Sequence, residues 1–107
     1  MDKTLTQIIK ALDDAKLLNI SVYDLDGANP FYNYVIIASA QNKRQMQSSI
    51  RYIDEEKIEY DHIEGRNSEE WILIDIENYI VHIFNKESRE QYDLDSLYIN
   101  SKKIEVE

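Results

Sequence analysis

The amino-acid sequence predicts an α/β fold, with a mixed five-stranded sheet and flanking helices in a single domain over residues 1–107. Apolar residues recur at helical spacing near the start of the chain and again around residue 50. Short runs rich in Val, Ile, Tyr and Trp, the residue types that favour strands, lie between and after these segments. Only two glycines and one proline are present, so a linker between two domains is not expected.

The first helix is predicted to begin at the segment from Thr4 to Gln7, whose pattern is typical of a capping box. Four apolar residues at helical spacing then form its core-facing stripe: Leu5, Ile8, Ile9 and Leu12. Residues 20–25 predict the first strand, which ends at the turn-forming pair Asp26-Gly27.

A continuous apolar run over residues 34–38 predicts the second strand, and its uniform composition indicates cover on both faces. The second helix follows, with Ser39 or Asn42 as its N-terminal cap. Three residues form the narrow apolar stripe of this helix: Met46, Ile50 and Ile53.

Residues 62–64 predict a short strand, and residues 71–76 and 79–84 predict a tight hairpin. Its turn consists of Glu77 and Asn78, where asparagine tolerates the left-handed conformation that such turns need.

The last helix is predicted to open with a second capping box at residues 88–91 and to run toward Tyr98. Residues 100–107 are expected to form a loose tail, as chain ends often do.

Composition limits the partners that the chain can bind. Its net charge of −9 argues against broad contact with nucleic-acid phosphates, and it either suits a basic protein partner or only keeps the protein in solution. The lack of cysteine excludes disulfides and thiol catalysis and is typical of a reducing compartment. Residues 1–10 contain no visible secretory leader, and no apolar run approaches the length of a membrane helix. A cytoplasmic protein without membrane contact is therefore expected.

Three acidic pairs are candidates for metal binding, because carboxylates two residues apart on a strand can share a cation. The pairs are Asp24 with Asp26, Asp75 with Glu77, and Asp93 with Asp95. With 21 acidic residues in 107, such spacings arise by chance, and no glycine-rich phosphate loop accompanies them. Neither histidine, His62 or His82, lies in a nucleophile motif. We therefore expect no metal, no cofactor and no enzymatic activity.

The hairpin predicts a surface for a partner, because side chains alternate between the two faces of a strand. The β-branched series of its first strand is assigned to the core: Ile72, Ile74 and Ile76. The opposite face then collects the other side chains of the hairpin: Trp71, Leu73, Asp75, Ile80, His82 and Phe84. Three helices cannot fully cover five strands, so this face is expected to be open unless the last helix or a second copy covers it.

Four blocks of this sequence together resemble the Iojap family, also called ribosomal silencing factors. The blocks are NPFYNYVIIASAQNKRQ at residues 29–45, EG at 64–65 followed by WILID at 71–75, IVHIF at 80–84, and REQYDLDSLY at 89–98. They follow the family's order and spacing, and the resemblance covers about residues 5 to 98. Two positions depart from the family pattern: Asn33, where many relatives have Asp, and Tyr98, where many have Trp.

The resemblance implies a nucleotidyltransferase-like fold without the catalytic site. It implies binding to the large ribosomal subunit through its fourteenth ribosomal protein, which sterically blocks the small subunit and represses translation. It also implies a homodimer in the free state. The functional face of the family maps onto seven positions that are predicted to contact the partner: Trp71, Leu73, Asp75, His82, Arg89, Tyr92 and Leu94.

Two other functions stay open on the residues alone. One is a small metal-dependent nucleotidyltransferase that uses Asp24, Asp26 and Asp75. The other is a regulatory adaptor that offers the same face to a different basic protein.

Overall fold

The structure, a computed structural model, describes residues 2–106. Its elements in chain order are α1 (Lys3–Asp14), β1 (Leu18–Asp24), β2 (Tyr34–Ala40), α2 (Lys43–Glu55), β3 (His62–Glu64), β4 (Trp71–Ile76), β5 (Tyr79–Asn85), α3 (Lys86–Tyr92), a 3-10 helix (Leu94–Tyr98) and β6 (Lys102–Ile104). The predicted α/β class is confirmed. None of the helices within this part of the chain combines the length and the apolar composition that crossing a bilayer requires.

The sheet has six strands in the order β3-β4-β5-β2-β1-β6. The central pair β2–β5 is parallel and the other pairs are antiparallel, so the sheet is mixed as predicted. The predicted count of five strands is wrong, because the segment expected to be a loose tail contains β6. Its register pairs Ile104 with Val22 and Lys102 with Asp24, and Ile104 also packs against the main core. β6 has three residues, two of them lysines, so its sequence shows no alternation of apolar and polar side chains. Its place in the sheet is specified by the free edge of β1, with which it pairs.

Helices cover the two faces of the sheet unequally. α1 and α2 lie on one face, where the residues of the predicted stripes are buried, including Leu5, Ile8 and Met46, except that Ile9 is only partly buried. The series Ile72, Ile74 and Ile76 points to this same core, as the alternation predicts. α3 and the 3-10 helix cover part of the other face, where a second and smaller apolar cluster lies. Its buried members are Tyr23, Leu25, Val35, Ile37 and Phe84.

Both predicted capping boxes are wrong, because earlier residues cap the two helices. Asp2 caps α1, and its carboxylate accepts a hydrogen bond from the Leu5 amide at 2.7 Å. Asn85 caps α3 and accepts from the Ser88 amide at 2.7 Å. Asp is a better N-cap than Thr and Asn is as good as Ser, so each helix gains residues at its start. Asn42, one of two predicted candidates, caps α2.

Two residues in the left-handed conformation shape the second half of the chain. In the β4–β5 turn, Glu77 takes this conformation at φ 45°, not Asn78 as predicted. The Glu77 amide donates to Asp61 at 3.0 Å, which supports the turn from the neighbouring loop. Asp93, at φ 48°, ends α3, so the helix predicted to run toward Tyr98 divides into α3 and the 3-10 helix.

Removing the residues after Ser101 tests whether β6 belongs to the fold. The truncated chain loses the pairing with β1 and the contact of Ile104 with the core. We expect its thermal midpoint to fall by several degrees, since about 1 kcal/mol corresponds to roughly 4–8 °C in a domain of this size. A Lys102→Ala/Lys103→Ala double variant is the control, because it keeps the backbone pairing and should melt like the parent. A truncated chain with the parent's midpoint would restore the loose-tail prediction.

Candidate partner-binding site

The second face of the sheet stays partly uncovered along β4. We call the row Trp71, Leu73 and Asp75 the open strip; all three side chains are half-buried. Alternation along β4 predicts this row, and the structure confirms that it lies opposite the main core. α3 and the 3-10 helix lie over the neighbouring strands and leave the strip open.

Trp71 forms one end of the open strip and also packs beneath α3. Its ring lies 4.8 Å from the ring of Phe84 and 5.1 Å from that of Tyr92, measured between centroids. Its Nε1–H donates to Nδ1 of His82 at 3.1 Å. Trp71 is thus a surface residue and a packing residue at once, so its removal is expected to destabilise the fold as well as to change the surface.

His82 does not lie on an open face as predicted; it is 6% exposed, behind Trp71. Burial lowers the pKa of His82 to about 4, although the negative charge of Asp95 opposes the shift. The ring is therefore neutral near pH 7 and carries its proton on Nε2, because Nδ1 accepts from Trp71. Alternation assigned His82 to the correct face but could not show that the layer carrying Tyr92 covers it.

Arg89 is also predicted to contact the partner, but its guanidinium donates its hydrogen bonds to acceptors within the protein. Its Nε and one Nη2 hydrogen bind the carboxylate of Asp95 at 3.0 and 3.1 Å. Nη1 donates to the Asn19 carbonyl at 2.6 Å and to Ser39 at 3.0 Å, and Nη2 donates to Ser21 at 3.1 Å. These five bonds match the five N–H groups of a guanidinium. They fix α3 and the 3-10 helix to β1 and β2.

A bulge in β1 provides one of these acceptors. The pairing register shifts between Leu18 and Ser21, and Asn19 takes the left-handed conformation at φ 52°. A bulged residue leaves the regular ladder, so its carbonyl is available to Arg89.

Asp95 completes this arrangement as the counter-ion of Arg89. Partial burial by itself raises the pKa of Asp95, but hydrogen bonds from Arg89 and Tyr23 outweigh it and hold the pKa below its ordinary value. The Tyr23 hydroxyl donates at 2.6 Å, and its ring stacks on Tyr98 at 5.4 Å. Tyr98, where relatives often have Trp, thus keeps an aromatic contact.

The remaining predicted site residues border the open strip. Tyr92 is half exposed at the end of α3, beside Trp71, and Leu94 is half-buried against the second cluster. At the other end of the strip, Asp75 accepts a hydrogen bond from the Tyr32 hydroxyl at 3.1 Å. The sequence analysis missed Tyr32, although its block was already part of the family resemblance.

The surroundings of the open strip are acidic. β3, β4, β5 and the loop of residues 25–33 contain no lysine or arginine. Glu64 pairs with Leu73 across β3–β4, and the two residues help to line a shallow cavity of about 240 Å³ with Trp71. An apolar row on strands that carry carboxylates and no lysine or arginine suits a basic partner surface and repels phosphate, although Arg66 follows Gly65 in the β3–β4 loop.

The three aspartates of the metal-dependent alternative do not form a site. Within residues 2–106, no three carboxylate or imidazole side chains are close enough together to hold a metal ion. Asp24 instead accepts from the Asp26 amide at 2.8 Å in a turn, and Asp75 binds Tyr32.

A family model described as "Ribosomal silencing factor during starvation" (RsfS) matches residues 1–107. This chain belongs to the RsfS family. Ribosomal silencing factor RsfS of Bacillus subtilis is 30% identical over 92 residues, which are 82% of this chain and 78% of that protein. A mouse protein named mitochondrial assembly of ribosomal large subunit protein 1 is 21% identical over 85% of this chain, which spans 43% of the mouse protein.

The fold is also shared with a solved structure. A crystal structure of a Chromobacterium violaceum protein matches 98% of this chain and 92% of its own chain, with a TM-score of 0.84 at 24% identity. The seven positions predicted to contact the partner differ in burial. Tyr92 is half exposed, and Trp71, Leu73, Asp75, Arg89 and Leu94 are partly exposed, whereas His82 is buried.

Arg89→Lys should destabilise the protein by about 2–3 kcal/mol, because an ammonium cannot satisfy the acceptors that Arg89 joins and leaves Asp95 poorly paired. Urea unfolding measures this loss. Arg51→Lys is the matched control: Arg51 is exposed and pairs with Glu55 four residues on, so the midpoint should not change. If Arg89→Lys unfolds like the parent and yet binds the partner poorly, Arg89 is a contact residue after all.

Acid should destabilise the fold through His82. In the unfolded chain the imidazole takes up a proton as the pH falls through about 6.5, whereas the folded protein does so only near pH 4. The free energy of unfolding is therefore unaffected by the titration of His82 above pH 6.5. It falls by up to about 3 kcal/mol when the pH is lowered to 4. Asp95, with a lowered pKa, adds a loss at still lower pH.

His82→Gln separates this effect from other titrations, because glutamine can still accept from Trp71 but does not titrate. The free energy of unfolding of this variant should change less than that of the parent between pH 6.5 and 4. Identical pH curves for parent and His82→Gln would show that His82 is not protected from protonation.

Proposed function

We propose that this chain binds the large ribosomal subunit through its fourteenth ribosomal protein and thereby prevents the small subunit from joining. Membership of the RsfS family supports a ribosome-associated silencing role. The name of the mouse relative refers to assembly of the large subunit, which supports that subunit as the target. The open strip is the observation that carries the proposal.

The chemistry of the open strip favours a protein partner over ribosomal RNA. Trp71 and Leu73 offer apolar area, and Trp is a preferred residue at the centre of binding surfaces. The carboxylates of Glu64 and Asp75 flank this area, and no cation lies on the strands that form it. Ribosomal proteins carry basic surfaces, so charge complementarity would speed their encounter with a chain of net charge −9.

The proposed mechanism is occlusion and includes no chemical step. A protein bound where the two subunits meet excludes the second subunit for as long as it stays bound. The fraction of large subunits that is blocked then depends on the free concentration of the protein relative to its Kd, in competition with the small subunit. Repression therefore reverses when the free concentration falls.

A homodimer in the free state is part of this proposal, as the family resemblance implies. A second copy that covered the open strip would have to dissociate before the ribosome could bind. Sedimentation of the free protein over a range of concentrations measures this step. The likeness of the fold to nucleotidyltransferases and the cytoplasmic location stay predictions.

Co-sedimentation with isolated ribosomal subunits tests the proposal. The parent should pellet with large subunits and not with small subunits or with joined ribosomes. Equal pelleting with both subunits would refute occlusion. Pelleting with neither, together with capture of another basic protein, would favour the adaptor function.

Leu73→Ala should weaken binding to large subunits by about 30-fold or more, as expected for a central contact. Leu73 is half-buried, so its loss should cost the fold only about 1 kcal/mol. Leu97→Ala is the matched control. Leu97 is 72% exposed and lies beside Tyr98, which stacks over β1, three strands away from β4. Equal effects of the two substitutions would show that the open strip is not the contact surface.

A further inference from the structure

We infer that Phe31 is a second anchor of the same surface, which extends the contact with a basic protein partner beyond the open strip. This inference rests on the proposed function. Phe31 is 75% exposed and lies in the loop between β1 and β2. Its neighbour Tyr32 binds Asp75 through its hydroxyl, so the last part of this loop reaches the Asp75 end of the open strip.

The loop that carries Phe31 is held in one conformation by hydrogen bonds. The Asn29 side chain accepts from the amides of Phe31 at 2.7 Å and Tyr32 at 3.0 Å. The amide of Asn33 donates to the Asn78 carbonyl at 2.7 Å, and the Asn33 carbonyl accepts from Leu25 at 2.9 Å. A ring presented on a fixed backbone loses little conformational entropy when it binds.

The size of the open strip requires further contacts. From Trp71 to Asp75 the strand advances four residues, or about 13 Å. A stable interface buries roughly 800 Å² on each partner, which this single row cannot supply. Tyr92 widens the surface at the Trp71 end, and the Phe31 loop widens it at the Asp75 end.

Charge identifies the kind of partner at the Phe31 end. Residues 17–42 contain no lysine or arginine, and Asp61, Asp75 and Glu77 lie around the β4–β5 turn. A basic protein surface is complementary to this end, whereas an RNA backbone would be repelled. An exposed aromatic ring also offers an apolar face to the stems of lysine and arginine side chains and attracts their charge.

Phe31→Ala tests this inference with little effect on folding, because the ring is mostly exposed. The protein is titrated against isolated large ribosomal subunits, and pelleting gives the affinity of the parent and of Phe31→Ala, Leu73→Ala and Leu97→Ala. We expect Phe31→Ala to weaken binding on the order of tenfold with an unchanged melting midpoint. Leu97→Ala should bind like the parent.

The outcomes separate the two proposals. If Phe31→Ala binds like the parent while Leu73→Ala is weakened, the anchor is refuted and the proposed function stands. If Phe31→Ala and Leu97→Ala are weakened equally, the loss reflects exposed apolar area in general, and the anchor is again refuted. If the parent does not bind large subunits at all, both proposals fail.

Discussion

The guanidinium of Arg89 is the interaction on which the second face of this protein depends. α3 has seven residues and the 3-10 helix has five, and helices so short do not persist without tertiary contacts. The apolar cluster beneath them is much smaller than the main core. A charged fork that bonds to β1, β2 and Asp95 at once therefore determines where this helical layer lies.

The position of that layer in turn sets the limits of the open strip. Because α3 is fixed, Tyr92 lies against Trp71, and the indole donates to His82 beneath it, which burial keeps neutral. A layer shifted toward β4 would cover Leu73, and a layer shifted away would expose Phe84, which is fully buried. The exposure of the open strip therefore depends on the hydrogen bonds that Arg89 makes inside the protein.

The sequence could predict those structural features that depend on residues close together in the chain. The alternation of Ile72 and Ile74 against Trp71 assigned both faces of β4 correctly, and the family blocks identified the family. The sequence could not predict that the Arg89 guanidinium is engaged within the protein, because three of its four acceptor residues lie 50 to 70 positions away in the chain. The strand β6 was not predicted for a similar reason. Its pairing depends on the edge of β1, which is distant in the chain, and not on a pattern in its own sequence.

The parallel pairing of β2 with β5 also has a consequence for how the protein folds. This pair is central to the sheet and joins Tyr34 to Tyr79, 45 positions apart, so no local segment can form it alone. Contacts of such long sequence separation slow folding, since a large loop must close before they are gained. The β4–β5 hairpin, whose strands are joined by only two residues, depends on local contacts instead. In the strand order, β4 connects to β2 and β1 through β5, so the slow β2–β5 pairing also joins the open strip to the rest of the sheet.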